Sequence, residues 1–144
     1  MSIERLRAAI DACAESLNEL RESLEVLDES SAKDEERLAR IISDAVVKRF
    51  EVAFEYAWKL MKTAAEYQGD EVFGPRPAIQ DAIRYGWIDD PDFWANALEA
   101  RNGSVHDYFG LSHEAYFAII KKFVTKTNEM IENIKRIPGS VQAN

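Results

Sequence analysis

From Ile3 to Leu27 an apolar residue returns every three or four positions: Ile3, Leu6, Ile10, Cys13, Leu17, Leu20, Leu24 and Leu27. That alternation is the seam of a long amphipathic helix. The other face carries Glu4, Arg5, Asp11, Glu15, Glu19 and Glu22. A narrow seam of this length packs in coiled-coil style against neighbouring helices. The remainder of the chain supplies such neighbours and no sheet, because no segment sustains period-two alternation.

Asp28-Glu29-Ser30-Ser31 reads as a turn, and Ser31 followed by Asp34 fits a capping-box start. The second helix is expected over about 33–68. It is amphipathic first, at Leu38, Ile41, Ile42, Ala45 and Val46, and then apolar around most of its circumference from Phe50 to Met61. Such a helix is buried on more than one side. It is either central in the bundle or meets another subunit with its second face, and the small size of the bundle favours the second as part of the answer.

Phe73-Gly74-Pro75-Arg76-Pro77 reads as a rigid, non-helical connection. A short helix follows over about 78–85, stopped by Gly86. Asp90-Pro91-Asp92 is a helix start with an N-cap acid and a proline in the first turn. This fourth helix carries Phe93, Trp94, Ala97 and Leu98 and ends near Arg101-Asn102-Gly103. A last helix begins at Ser112 and stops at Pro138-Gly139. The expected architecture is all-α, an antiparallel up-and-down bundle of four to five helices. It forms one domain over 1–137, followed by a flexible tail over 138–144.

With 144 residues, 47% hydrophobic and 31% charged, the chain has the material for one domain with one core. No apolar run approaches membrane-spanning length and no signal segment opens the chain, so the expected compartment is the cytoplasm. The single cysteine, Cys13, lies on the apolar seam and reads as a buried small hydrophobe. A net charge of −8 argues against a surface that grips nucleic acid everywhere. It leaves room for a small local basic site or a basic partner.

The candidate for that local site is Arg101-Asn102-Gly103-Ser104-Val105-His106-Asp107-Tyr108. On an unbroken helix, residues five apart point about 140° from each other. The Asn102-Gly103 turn signal lets Arg101 and His106 converge. A permanent cation, a group that titrates near neutrality and a phenol, gathered at a helix end, suit a phosphate. The plainer alternative is a helix-terminal arginine and a loop histidine bonded to backbone. Two further features stand beside it. Glu55 and Lys59 either pair at i,i+4 on the surface or come beside the Arg-His loop. Arg76 is either part of a rigid Pro-Arg-Pro turn or a second phosphate-facing arginine. His113 reads as a surface residue. With two histidines and one cysteine, the chain lacks metal-ligand spacing, a Gly-rich phosphate loop and a nucleophile elbow. No cofactor and no metal are called for.

Taken together, Arg-x4-His-x-Tyr after Trp94-Ala95-Asn96-Ala97-Leu98-Glu99-Ala100-Arg101-Asn102, the upstream Phe54-Glu55-Tyr56-Ala57-Trp58-Lys59, and the intervening stretch from Pro75 to Ile88 resemble the HEPN superfamily. Within it the chain is similar to the nucleotidyltransferase substrate-binding group, the HepT-like partners of minimal nucleotidyltransferases. The resemblance spans about residues 5–135. It implies a homodimeric helical bundle, joined through the aromatic helix around Phe50–Met61 and the Arg101–Tyr108 region. The implied partner is a minimal nucleotidyltransferase. Many such pairs are toxin–antitoxin systems in which the HEPN member is a metal-independent ribonuclease acting on RNA. The nucleotidyltransferase neutralises it by transferring AMP to the motif tyrosine. By position, Arg101 and His106 would then be catalytic, Tyr108 the modified residue, and Asn102 a residue that shapes the site. The other function implied is a non-catalytic subunit that presents a substrate to the nucleotidyltransferase.

Overall fold

The computed structural model of the chain describes residues 2–31, 36–103 and 113–142. Five helices follow one another: α1 (Ile3–Ser31), α2 (Glu36–Tyr67), α3 (Pro75–Arg84), α4 (Pro91–Gly103) and α5 (His113–Ile134). There is no strand among the described residues, and the chain is an all-α bundle. None of the described helices is long and apolar enough to cross a membrane.

The seam of α1 is buried as its spacing requires. Leu6, Cys13 and Leu20 are fully inaccessible, and Ile10, Leu17 and Leu24 nearly so. Burial of Cys13 pushes its thiol up to about 12, so it behaves as a small hydrophobe. The seam lies on α2, and Arg49 Nη1 ties the two helices by donating to the Glu19 carbonyl at 2.7 Å.

Through α2 runs the centre of the core. Phe50, Ala53, Phe54, Ala57, Leu60 and Met61 are buried, and the Phe50 and Phe54 rings meet Trp94 of α4 and Tyr116 and Phe123 of α5 at centroid distances of 5.2–6.4 Å. The all-round apolar character of this stretch is therefore met largely inside the bundle. Its outer side still leaves Val52 37% and Tyr56 43% exposed.

Two boundaries differ from the sequence reading. The turn expected at residues 28–31 is the last turn of α1. Asp, Glu and Ser there do not forbid helix, and Asp28 comes within 3.7 Å of Lys121 of α5 in an exposed ion pair. The capping role read for Ser31 falls away, because Ser31 lies inside α1; Asp34 lies outside the described residues. The second correction concerns Pro75-Arg76-Pro77, which is the first turn of α3 rather than a non-helical link. First-turn N–H groups have no acceptor inside a helix, so proline loses nothing there and its fixed φ suits the start. Gly74 supplies the N-cap at φ 101°, a conformation that a side chain would strain.

At the other junction, Asp90 caps α4: its Oδ1 accepts from the Phe93 N–H at 3.2 Å. That hydrogen bond, with Lys122 adding to it, holds the Asp90 carboxyl below the usual carboxylate range. After α5 the chain folds back on α1. Gly139 O accepts from Arg7 Nε at 2.8 Å, and Ser140 is buried with its hydroxyl donating to the Lys135 carbonyl.

Candidate functional site

The local chemistry that brings a site together begins on α2. With Phe54 and Ala57 pointing into the core, Glu55 and Trp58 fall at the rim of the buried face, three residues apart and therefore adjacent on the helix surface. On α4, Trp94, Ala97, Leu98 and Ala100 are buried. Their packing delivers Arg101, in the last turn, to the same rim.

There one carboxylate serves two donors. Glu55 Oε1 accepts from Arg101 Nη2 at 2.7 Å, and Oε2 accepts from Trp58 Nε1 at 3.0 Å. Arg101 Nη1 also donates to Asn102 Oδ1 at 3.2 Å. The paired side chains are 34% and 30% exposed, so solvent screens this ion pair less than one that stands free on a surface. A guanidinium engaged along two of its nitrogens has its plane fixed, and that plane determines where an oxyanion can approach it.

Of the residues singled out from the sequence, the structure brings Arg101, Asn102 and Glu55 together. It adds Trp58, which sequence reasoning left among the core and interface aromatics. The only available signal was its i,i+3 spacing from Glu55. Glu55 is not paired with Lys59; Lys59 is exposed. Arg76 is exposed on the first turn of α3, and no hydrogen bond or ion pair ties it to this cluster. His106 and Tyr108 lie outside the described residues. His113 is exposed and stacks on Phe117 with centroids 4.4 Å apart.

Two other polar clusters fasten elements. Asp70 accepts from the Tyr85 hydroxyl at 2.5 Å and from Arg84 Nη2 at 2.8 Å, while the Arg84 guanidinium lies over the Tyr85 ring. The Tyr85 hydroxyl, and then Arg84, hold the Asp70 carboxyl below its ordinary value, and Asp70 in turn raises the Tyr85 phenol. This clasp joins the turn after α2 to the end of α3. The second cluster sets Asp89 and Asp90 against Lys126, 2.9 and 3.6 Å away, and ties the start of α4 to α5. Among the described residues no group of three or more His, Cys, Asp or Glu is placed to hold a metal ion.

A sequence model of the family described as nucleotidyltransferase substrate binding protein like matches residues 9–136. A Haemophilus influenzae protein described as a probable ribonuclease HepT is 24% identical over 95 residues, which is 62% of this chain. The match spans 65% of that relative's own length. In fold, the chain is similar to a solved Haemophilus influenzae structure described as the substrate-binding domain of a nucleotidyltransferase. The TM-score is 0.73 at 18% identity, over 88% of this chain and 99% of that one. The family match covers most of the described helices and the whole of the Glu55–Arg101 site: the chain belongs to the nucleotidyltransferase substrate-binding-protein-like family.

Proposed function

We propose that this protein is the toxin of a toxin–antitoxin pair, a metal-independent endoribonuclease silenced by AMP transfer from a partner nucleotidyltransferase. The observation that carries the reading is Arg101. It is held half-buried on Glu55 in the last turn of α4, directly before the segment that contains His106 and Tyr108. Likeness to a probable ribonuclease HepT supports it.

The chemistry needs a base to take the proton of a ribose 2′-hydroxyl, an acid to protonate the departing 5′-oxygen, and a cation for the crowded phosphate. The 2′-oxygen forms a bond to phosphorus as the bond to the 5′-oxygen breaks, leaving a cyclic phosphate and a free 5′-hydroxyl. Arg101 supplies the cation and His106 the proton transfer. One chain offers one histidine in this region, so a two-fold dimer is the natural way to supply a second. The exposed Val52 and Tyr56 on the aromatic helix favour that assembly.

Silencing follows from Tyr108. Its hydroxyl attacks the α-phosphorus of ATP, pyrophosphate leaves, and the phenolic proton passes to solvent. The attached nucleotide then places bulk and negative charge beside Arg101.

Expression without the partner is expected to arrest growth, and His106→Ala to relieve the arrest while helicity and dimerisation are retained. A variant that still arrests growth and cleaves RNA like the parent would sink the ribonuclease reading. Incubation with the partner and ATP is expected to add the mass of one adenylate to Tyr108; an unmodified tyrosine beside an active partner counts against silencing. The family description and the net charge of −8 favour a second reading, a non-catalytic subunit that presents a substrate to the nucleotidyltransferase. Under it the chain copurifies with that enzyme but cuts no RNA.

A further inference from the structure

Trp58 differs from the other two tryptophans of the chain. Trp87 and Trp94 are 6% and 0% exposed, whereas Trp58 is half-buried at the rim of α2. Its only polar atom is already satisfied, because Nε1 donates to Glu55 Oε2 at 3.0 Å. The other oxygen of that carboxylate holds Arg101 at 2.7 Å. One carboxylate therefore ties an indole N–H and a guanidinium to the same point on the rim. Trp58 packs against the edge of the core, and this bond helps to set the plane of its ring.

From this juxtaposition we infer that Trp58 is a stacking platform for a nucleobase whose phosphate rests on Arg101. The ligand class is a nucleotide unit, either within a single-stranded RNA or as a free or transferred adenylate. The inference rests on reading the Arg101 site as a nucleotide site, and extends it from the phosphate to the base. An aromatic face beside a cation is the recurring way in which proteins hold single-stranded nucleic acid. It tolerates every base, because every base has a π-face. The site would be sequence-tolerant at this nucleotide, with the base reading nothing but stacking.

The test uses the full chain carrying His106→Ala, so that bound RNA is not cut. A labelled single-stranded RNA of mixed sequence and AMP are titrated in parallel. Affinity is read by anisotropy or by competition, and contact by tryptophan emission. Trp58→Phe keeps an aromatic face but loses the N–H that holds the ring on Glu55, and is expected to bind RNA about threefold more weakly than its parent and more tightly than Trp58→Leu. Trp58→Leu keeps apolar bulk without a π-face and is expected to weaken binding by about tenfold or more. Trp58→Ala is expected to do the same. Arg101→Ala is expected to weaken both ligands, and the quenching of emission seen with RNA should disappear in Trp58→Phe.

Binding of AMP alone with the same dependence on residue 58 supports the platform and assigns it to the mononucleotide. Loss of binding in Arg101→Ala with Trp58→Leu still binding like the parent overturns the platform and leaves the phosphate site standing. If the parent binds neither RNA nor AMP, the nucleotide reading falls and the platform falls with it. Thermal melts of all variants separate a loss of stacking from a loss of fold.

Discussion

Glu55→Ala removes the carboxylate that Arg101 and Trp58 share. Its ion pair with Arg101 is half-buried, which puts it near the top of the range measured for surface pairs, about 1 kcal/mol. The same change leaves the Trp58 indole N–H without its acceptor, which adds about 1 kcal/mol. Glu55→Ala should therefore destabilise the chain by about 2 kcal/mol, or roughly 6–8 °C in Tm for a domain of this size. Arg101→Ala alone should cost about 1 kcal/mol, and the double variant should show a coupling of about 1 kcal/mol. Urea unfolding followed by circular dichroism measures all three. High salt should shrink the coupling only in part, because the pair is partly shielded. A coupling below about 0.3 kcal/mol at low salt would refute the clamp, and with it the idea that Glu55 sets the plane of Arg101.

Other outcomes follow from separate parts of the molecule. Asp70 has its folded pKa depressed by Tyr85 and Arg84. Its contribution to stability is therefore present above its unfolded pKa and is lost as pH falls through the folded one. Asp70→Asn should flatten the acid limb of the stability curve below about pH 4; an unchanged limb contradicts the clasp. If the proposed dimer forms through the exposed side of α2, Val52→Asp with Tyr56→Glu should sediment as a monomer without loss of helicity, since both side chains are exposed. A dimer that persists places the interface elsewhere. Cys13, fully buried and with its thiol raised to about 12, should resist a thiol reagent at pH 8 until the chain unfolds. Rapid labelling of the native protein would contradict the packing of α1.

How much of this was legible in the sequence depends on which physics decided each element. The α1 seam was readable because burial of Leu6, Cys13, Leu17 and Leu20 follows helical period alone. Asp90 was readable as a cap because capping is a local bond, here to the Phe93 N–H. The end of α1 was not, because Asp, Glu and Ser are common in turns yet do not forbid a last helical turn. Proline misled at residues 75–77, since the same ring that breaks a helix interior is welcome in its first turn. At the site, Arg101 was read at a helix end, while Glu55 was left between a surface pair with Lys59 and a place beside the Arg-His loop. Their pairing is long-range, 46 residues apart, and no local pattern shows that Glu55 prefers Arg101 to Lys59. Trp58 was hidden for the same reason: its spacing marked a neighbour of Glu55, but only the fold shows that its N–H shares the carboxylate that holds Arg101.

The most direct test of the central claim is the end chemistry of RNA cut by the purified chain in excess chelator. We expect cleavage to persist without divalent metal, to leave a 2′,3′-cyclic phosphate and a 5′-hydroxyl, and to vanish in both Arg101→Ala and His106→Ala. Cleavage that stops with the chelator, leaves a 3′-hydroxyl with a 5′-phosphate, or survives both substitutions would contradict it.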